Sequence, residues 1–216
     1  MARTSASGKV PLVPIPLVCG PFMHLATQKQ TTSAAAFIAV ACAVAAWWLA
    51  RPYLGVEHDA LYYAAEAFRR SGIEKLSQDI FFGPGTQGGY SVFPAIYGVF
   101  TRWIGVETAA LWLTGLSHLL WPIALAYLSY AAIGIGRWPL GTALALVMPV
   151  YYDSHHRLSY GEPFATPRPW AEAISMVAIA TACQRNYPLS IILALLAFAV
   201  HPIMGLPAVL VVVLLL

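Results

Sequence analysis

Residues 34–50 read AAAFIAVACAVAAWWLA, and residues 55–72, just beyond them, read GVEHDALYYAAEAFRRSG. The first run has no charge. The second opens with Glu57, His58 and Asp59 in succession. A helix needs about 20 apolar residues to cross a bilayer core, and residues 33–50 come close to that length. Ala34, Ala35, Ala36, Ala39, Ala41 and Ala43 are small enough to allow close helix contact. Trp47 and Trp48 are expected at the far interface, where amphipathic rings settle. In the second run Leu61, Ala64, Ala65 and Phe68 recur at the spacing of one helix face. Asp59, Tyr63, Glu66 and Arg70 share the opposite side. Arg69 and Arg70 in the last turn, with Gly72 beyond, are stop signals. The pattern predicts an amphipathic helix lying on the membrane surface, with Glu57, His58 and Asp59 at its N-terminus. Asp59 also suits an N-cap, where its carboxylate would accept a backbone N–H.

Composition agrees with a membrane class. Charged residues are 10% of the chain and hydrophobic ones 59%, with a mean hydropathy of +0.69. A soluble domain carries about 25% charged residues, so these few charges cannot coat a globular surface. The expected fold is all-α, a polytopic transmembrane helical bundle with juxtamembrane amphipathic helices in its first external loop. The net charge of +3 comes with no dense basic run. Nucleic acid is therefore not an expected partner. Cys19, Cys42 and Cys183 lie far apart with no CxxC, which gives neither a metal ribbon nor a disulfide framework.

Residues 1–32 are expected to be a flexible cytoplasmic segment, with Met1 and Met23 both open as the start. Residues 33–216 are expected to be the transmembrane domain. Residues 91–104 are apolar but short of a span; residues 107–133 span easily. Arg137 and Trp138 make a tight turn, and residues 139–152 are again short. Residues 153–169 form a second polar excursion, residues 170–183 a further apolar helix, and Arg185 sits in the next turn. Residues 189–216 are interrupted only by His201 and Pro202, which predicts two short helices meeting there. The chain closes on PAVLVVVLLL, residues 207–216, without a polar flank, and is expected to be the front part of a longer protein.

Topology hinges on residues 91–104. If they do not cross, the N-terminus, Arg137 and Arg185 lie inside, as the positive-inside bias prefers. Both polar excursions then share the outer face. Arg69, Arg70 and Lys75 run against the bias in either arrangement. The second excursion carries Asp153, His155, His156, Arg157, Glu162 and Arg168. Thr166 reads as a helix cap with Pro167 in the first turn. Glu162 and Arg168 suit either a salt bridge or a lipid-linked phosphate, which the planar fork of Arg recognises.

A first span, an acidic residue just outside it, a juxtamembrane amphipathic helix and then short helices with tight turns form a pattern. It resembles the membrane glycosyltransferases of the GT-C superfamily. The matching pieces are GVEHDALYYAAEAFRR, FPAIYGVFTRWIGVETAALWLTGLSHLL and YGEPFATPRPWAEAISMVAIA. The resemblance implies sugar transfer from a polyprenyl-phosphate donor at the outer face of a bacterial inner membrane, with the chain crossing several times. It maps the superfamily's acidic residue onto Asp59, with Glu57 as the other candidate, as catalytic base or metal ligand. A divalent cation, Mg or Mn, would then be the cofactor. His58, Glu162, Arg168 and His201 are candidate substrate-binding residues. The paired prolines that many members carry after the acidic helix are replaced here by GGYSVFP, with only Pro94.

Two other classes stay open. A transporter or flippase places ionisable groups at broken helices near the midplane, and His201 with Pro202 is the candidate for that. A non-catalytic membrane subunit or fragment is the third reading.

Overall fold

The structure is a computed structural model that describes residues 34–70, 82, 87–148, 151 and 159–216. Among the described residues it is all-helical, apart from one isolated antiparallel bridge between Tyr151 and Ser159. The eight α-helices are α1 (Ala34–Leu49), α2 (Asp59–Arg70), α3 (Phe93–Ile104), α4 (Val106–Ile133), α5 (Trp138–Leu146), α6 (Arg168–Cys183), α7 (Tyr187–Val200) and α8 (Pro202–Leu215). The expected N-terminal segment 1–32, Lys75, Asp153, His155, His156 and Arg157 lie outside the described residues.

One helix, α4, is long and apolar enough to cross a membrane; α1, α7 and α8 are apolar but shorter. At about 1.5 Å per residue, the 28 residues of α4 extend about 42 Å. The molecule is built along that length. The first half of α4 packs with α2 and α3 around Tyr63, Phe93, Tyr97, Ala109 and Leu113. Its second half meets α1 and α5 around Trp47, Trp121, Leu125 and Leu146. Helices α6, α7 and α8 form a third cluster around Ala178, Ala182, Ala194 and Val212.

The break at His201 is sharp. His201 is extended, with φ −152° and ψ 104°, and its ring nitrogen accepts the Met204 N–H to start α8. Ala194 and Val212 share a core cluster although 18 residues separate them. A straight helix would hold them about 27 Å apart. So α7 and α8 form a hairpin rather than one kinked helix, as the two-helix reading expected. Val92 N–H and the Ser91 hydroxyl satisfy the carbonyls of Ala199 and Val200 that the break leaves open. Residues 93–104 form a 12-residue helix, about 18 Å long, too short to cross a core of about 30 Å.

Three expectations change. Trp47 is not an interface marker: it is 3% exposed and stacks on Trp121, whereas Trp48 is 46% exposed. The small residues of α1 do allow helix contact, since α1 runs along α5 and Ala43 packs against the Trp47 cluster. In α2 the polar side faces the protein. Tyr63 and Glu66 are buried while Leu61 and Phe68 point out, because Arg69 and Arg70 can satisfy Glu66 and the rings of Phe93 and Tyr62 can pack on Tyr63. Thr166 does not cap α6. Pro167 is the N-cap residue and makes no side-chain bond, and the Thr166 hydroxyl donates to Glu162.

Candidate functional site

The chain leaves α1 through Arg51, which ties the two polar excursions together. Its Nε donates to the carbonyl of Tyr160 at 3.1 Å, its Nη1 to that of Trp47 at 3.1 Å, and its guanidinium lies 4.5 Å from the Trp47 ring centroid. Three residues on, Leu54 N–H donates to the Pro163 carbonyl at 3.0 Å. With the excursions fastened side by side, Asp59 at the start of α2 reaches Arg168 at the start of α6, 109 positions away.

Arg168 is the hub. Its Nη2 donates to Asp59 Oδ2 at 2.9 Å, and its Nε lies 2.7 Å from Glu162 Oε1. In the second contact the N–H is not aimed along the line of a hydrogen bond, so the attraction there is that of an ion pair. Glu162 Oε2 accepts the Thr166 hydroxyl. The set is lopsided in exposure: the side chain of Glu162 is 1% exposed, Arg168 8% and Asp59 55%. Burial pushes the Glu162 carboxyl above its usual range, although Arg168 and Thr166 favour its charged form. Asp59 therefore presents the open end of a buried pair. Its carboxylate is directed to Arg168 in place of the expected cap, and it is the first helical residue.

His201 is 6% exposed, and its ring lies within electrostatic reach of Arg168 and Asp59. Asp59, Glu162, Arg168 and His201 are thus brought together. Glu57 and His58 stay at the rim. Glu57 is exposed and gives its backbone carbonyl to the Ala60 N–H. His58, with φ 48°, rests its ring 5.8 Å from that of Phe164.

Among the described residues no three His, Cys, Asp or Glu side chains gather as a metal site. The donors of the cluster do not fit Mg or Mn, which want several free hard oxygens. Asp59 Oδ2 and Glu162 Oε1 face Arg168, and Glu162 Oε2 holds Thr166. No disulfide occurs among the described residues; Cys42 is exposed and Cys183 half-buried.

Sequence reading missed the residues behind the cluster. His118, in the middle of α4, is 8% exposed with Nε2 2.8 Å from the Glu162 carbonyl; that nitrogen must carry the proton. Glu172, on α6, accepts Trp121 Nε1–H at 2.8 Å. A signal existed: a lone ionisable residue inside an apolar helix is costly and asks for a partner.

Helices α3 and α4 also bound an apolar groove of about 920 Å³, separate from the cluster and lined by Trp48, Phe100, Trp103, Trp112, Leu116 and Leu119 among others. Trp48 links the two: it lines the groove and donates its Nε1–H to the His118 carbonyl at 3.0 Å. No protein-family model, no curated protein and no solved structure matches the chain.

Proposed function

We propose that the chain is a polytopic membrane protein of the glycosyltransferase type. It moves a sugar from a polyprenyl-phosphate donor to an acceptor hydroxyl at the outer face of the membrane. One observation carries this reading: an open carboxylate, Asp59, held by a buried Arg168, with an apolar groove of about 920 Å³ connected to their partner Glu162 through Trp48 and His118. A lipid-linked phosphate needs both halves, a hydrocarbon slot and a cation beside it. The many apolar side chains exposed on α4, α7 and α8, Trp112, Ile123, Ile192, Leu195, Val213 and Leu214 among them, favour a lipid surround. Measured from Ile133, about 30 Å of α4 reaches to near Leu113. His118 and the cluster it supports then lie a little below the outer boundary, within reach of a headgroup.

The asymmetry of Arg168 suggests how a phosphate enters. Its contact with Glu162 is enclosed, while its contact with Asp59 is half open. An arriving phosphate displaces Asp59 from Nη2 and releases that carboxylate toward the acceptor. Asp59 takes the hydroxyl proton as the hydroxyl oxygen bonds to the anomeric carbon. The bond from that carbon to the phosphate oxygen breaks, and the lipid phosphate leaves with the electron pair, its charge faced by Arg168.

Asp59→Asn tests the reading in the full chain in nanodiscs. Asn retains an acceptor oxygen for Arg168 but cannot act as a base. Transfer from a polyprenyl-phosphate sugar is expected to fall by ~10²–10⁴ with unchanged insertion and folding. Transfer within a few-fold of wild type sinks the proposal. Loss on Glu57→Gln instead moves the base to Glu57.

A further inference from the structure

The segment that carries Glu162 is fastened from three sides. Arg51 Nε holds the Tyr160 carbonyl, and His118 Nε2 holds that of Glu162. Gly161 adopts φ +60° directly beneath Trp47, so that a Cβ at this position would overlap the indole. Trp47 is itself fixed by stacking on Trp121, ring centroids 5.4 Å apart and nearly parallel. The Glu172 carboxylate ties this layer together. Its Oε2 accepts Trp121 Nε1–H at 2.8 Å, and Trp121 carries the stacked Trp47 ring that covers Gly161. Glu172 stands one helical turn along α6 from Arg168.

We infer that Glu172 is a positioning residue: its carboxylate anchors Trp121 and, through it, the Trp47 indole that covers Gly161, and so sets where Glu162 holds Arg168 and Arg168 holds Asp59. The inference rests on the proposed reading for what Asp59 does, and on geometry alone for the loop. Glu172 is half-buried, and its bonded oxygen is turned into the core. Trp121 is 6% exposed and Trp47 3%, and they stand on the side from which Trp121 donates. An apolar helix tolerates such a carboxylate where a donor meets it, and here the donor, Trp121, belongs to the layer that must keep register. What the site asks of residue 172 is an acceptor oxygen at that place. A glutamine supplies one and a leucine does not.

The experiment compares wild type, Glu172→Gln, Glu172→Leu and Asp59→Asn, each as the full chain in nanodiscs. Two readouts are taken: backbone hydrogen exchange, and transfer from a polyprenyl-phosphate sugar. Glu172→Leu is expected to lower protection of the amides at 160–162 and at Leu54 by about tenfold, with α7 and α8 unaltered. It lowers kcat by ~10–100-fold, with KM within about twofold of wild type. Glu172→Gln restores both. Asp59→Asn removes transfer and leaves the exchange pattern alone. Unchanged protection at 160–162 in Glu172→Leu overturns the inference. So does an equal loss across α7 and α8, which would make Glu172 a folding residue. Damage by Glu172→Gln equal to that by Glu172→Leu also overturns it, since charge rather than an acceptor would then be needed. If wild type transfers no sugar, the functional reading falls while the exchange data still decide the anchoring.

Discussion

The α2/α3 pair and the α6/α7/α8 bundle use opposite means of packing. The pair meets through rings and charges. Tyr63, Phe93 and Tyr97 interlock, and the buried Glu66 takes two bonds from Arg69, at 2.9 and 2.6 Å, and one from Arg70 at 2.9 Å. Arg102 from α3 then donates to the Arg70 carbonyl at 2.5 Å and closes the end of α2. The bundle has no such ion pairs among its described contacts. It meets through Ala178, Ala182, Ala194 and Gly205, with the Ser190 hydroxyl bonded to the Ala178 carbonyl at 2.7 Å. In the proposed lipid setting helices gain no hydrophobic drive to associate, so close backbone approach and local hydrogen bonds must supply the attraction. The Asp59, Glu162 and Arg168 cluster lies where these two modes meet, at the first residues of α2 and α6.

The largest effect is expected at that junction. Arg168→Met strands Glu162, whose side chain is 1% exposed, and should destabilise the protein by about 3–5 kcal/mol in thermal unfolding. Adding Glu162→Gln should recover most of the loss, because the stranded charge goes with it. A mild single variant would mean that the pair is not a structural joint between the regions.

Next in size is the contrast between two glycines. A Cβ at Gly205 would overlap the backbone of Phe198 and Ala197, whereas one at Gly98 would stand 3.1 Å from the Ala67 carbonyl oxygen. Gly205→Ala should cost about 1–3 kcal/mol and Gly98→Ala less than half as much. Equal costs would erase the difference in packing mode.

The smallest effect is one of sign with pH. Burial alone would raise the Glu66 carboxyl, but its bonds to Arg69 and Arg70 and their charges prevail and hold it below its ordinary value of 4.5. Its stabilising contribution is therefore complete above that value and is lost as pH falls through the depressed native one. Glu162 is raised above 4.5 by burial. Its contribution is complete below 4.5 and is lost as pH rises through the elevated native value. Unfolding of Glu66→Gln and Glu162→Gln across pH 3–8 should remove opposite slopes from the wild-type curve. Slopes of one sign would refute the assignment of the two environments.

Much of the helical order was legible in residue pattern. Hydropathy marks residues 107–133, the periodicity of residues 59–70 marks α2, and His201 with Pro202 marks the hairpin, because each is a local consequence of side-chain polarity or of a missing N–H. Chemistry at Asp59, Glu162, Arg168 and His201 could be suspected from residue type alone. Their meeting could not. The ion pair of Asp59 with Arg168 joins positions 109 apart, and it depends on Arg51 and Leu54 fastening one excursion to the other.

Composition and pattern by themselves determined an apolar helical chain, the position of α2 and the break at residue 201, since helix periodicity and proline chemistry act within a few residues. Tertiary structure alone decided which face of α2 turns inward, that Trp47 is a core ring, and that Glu172 and His118 stand behind Glu162. The reason is physical: periodicity tells that a helix has two unlike faces, but which face is buried depends on the partners. Glu66 can be enclosed because Arg69 and Arg70 satisfy it, and Glu172 can sit half-buried because Trp121 on another helix offers an N–H.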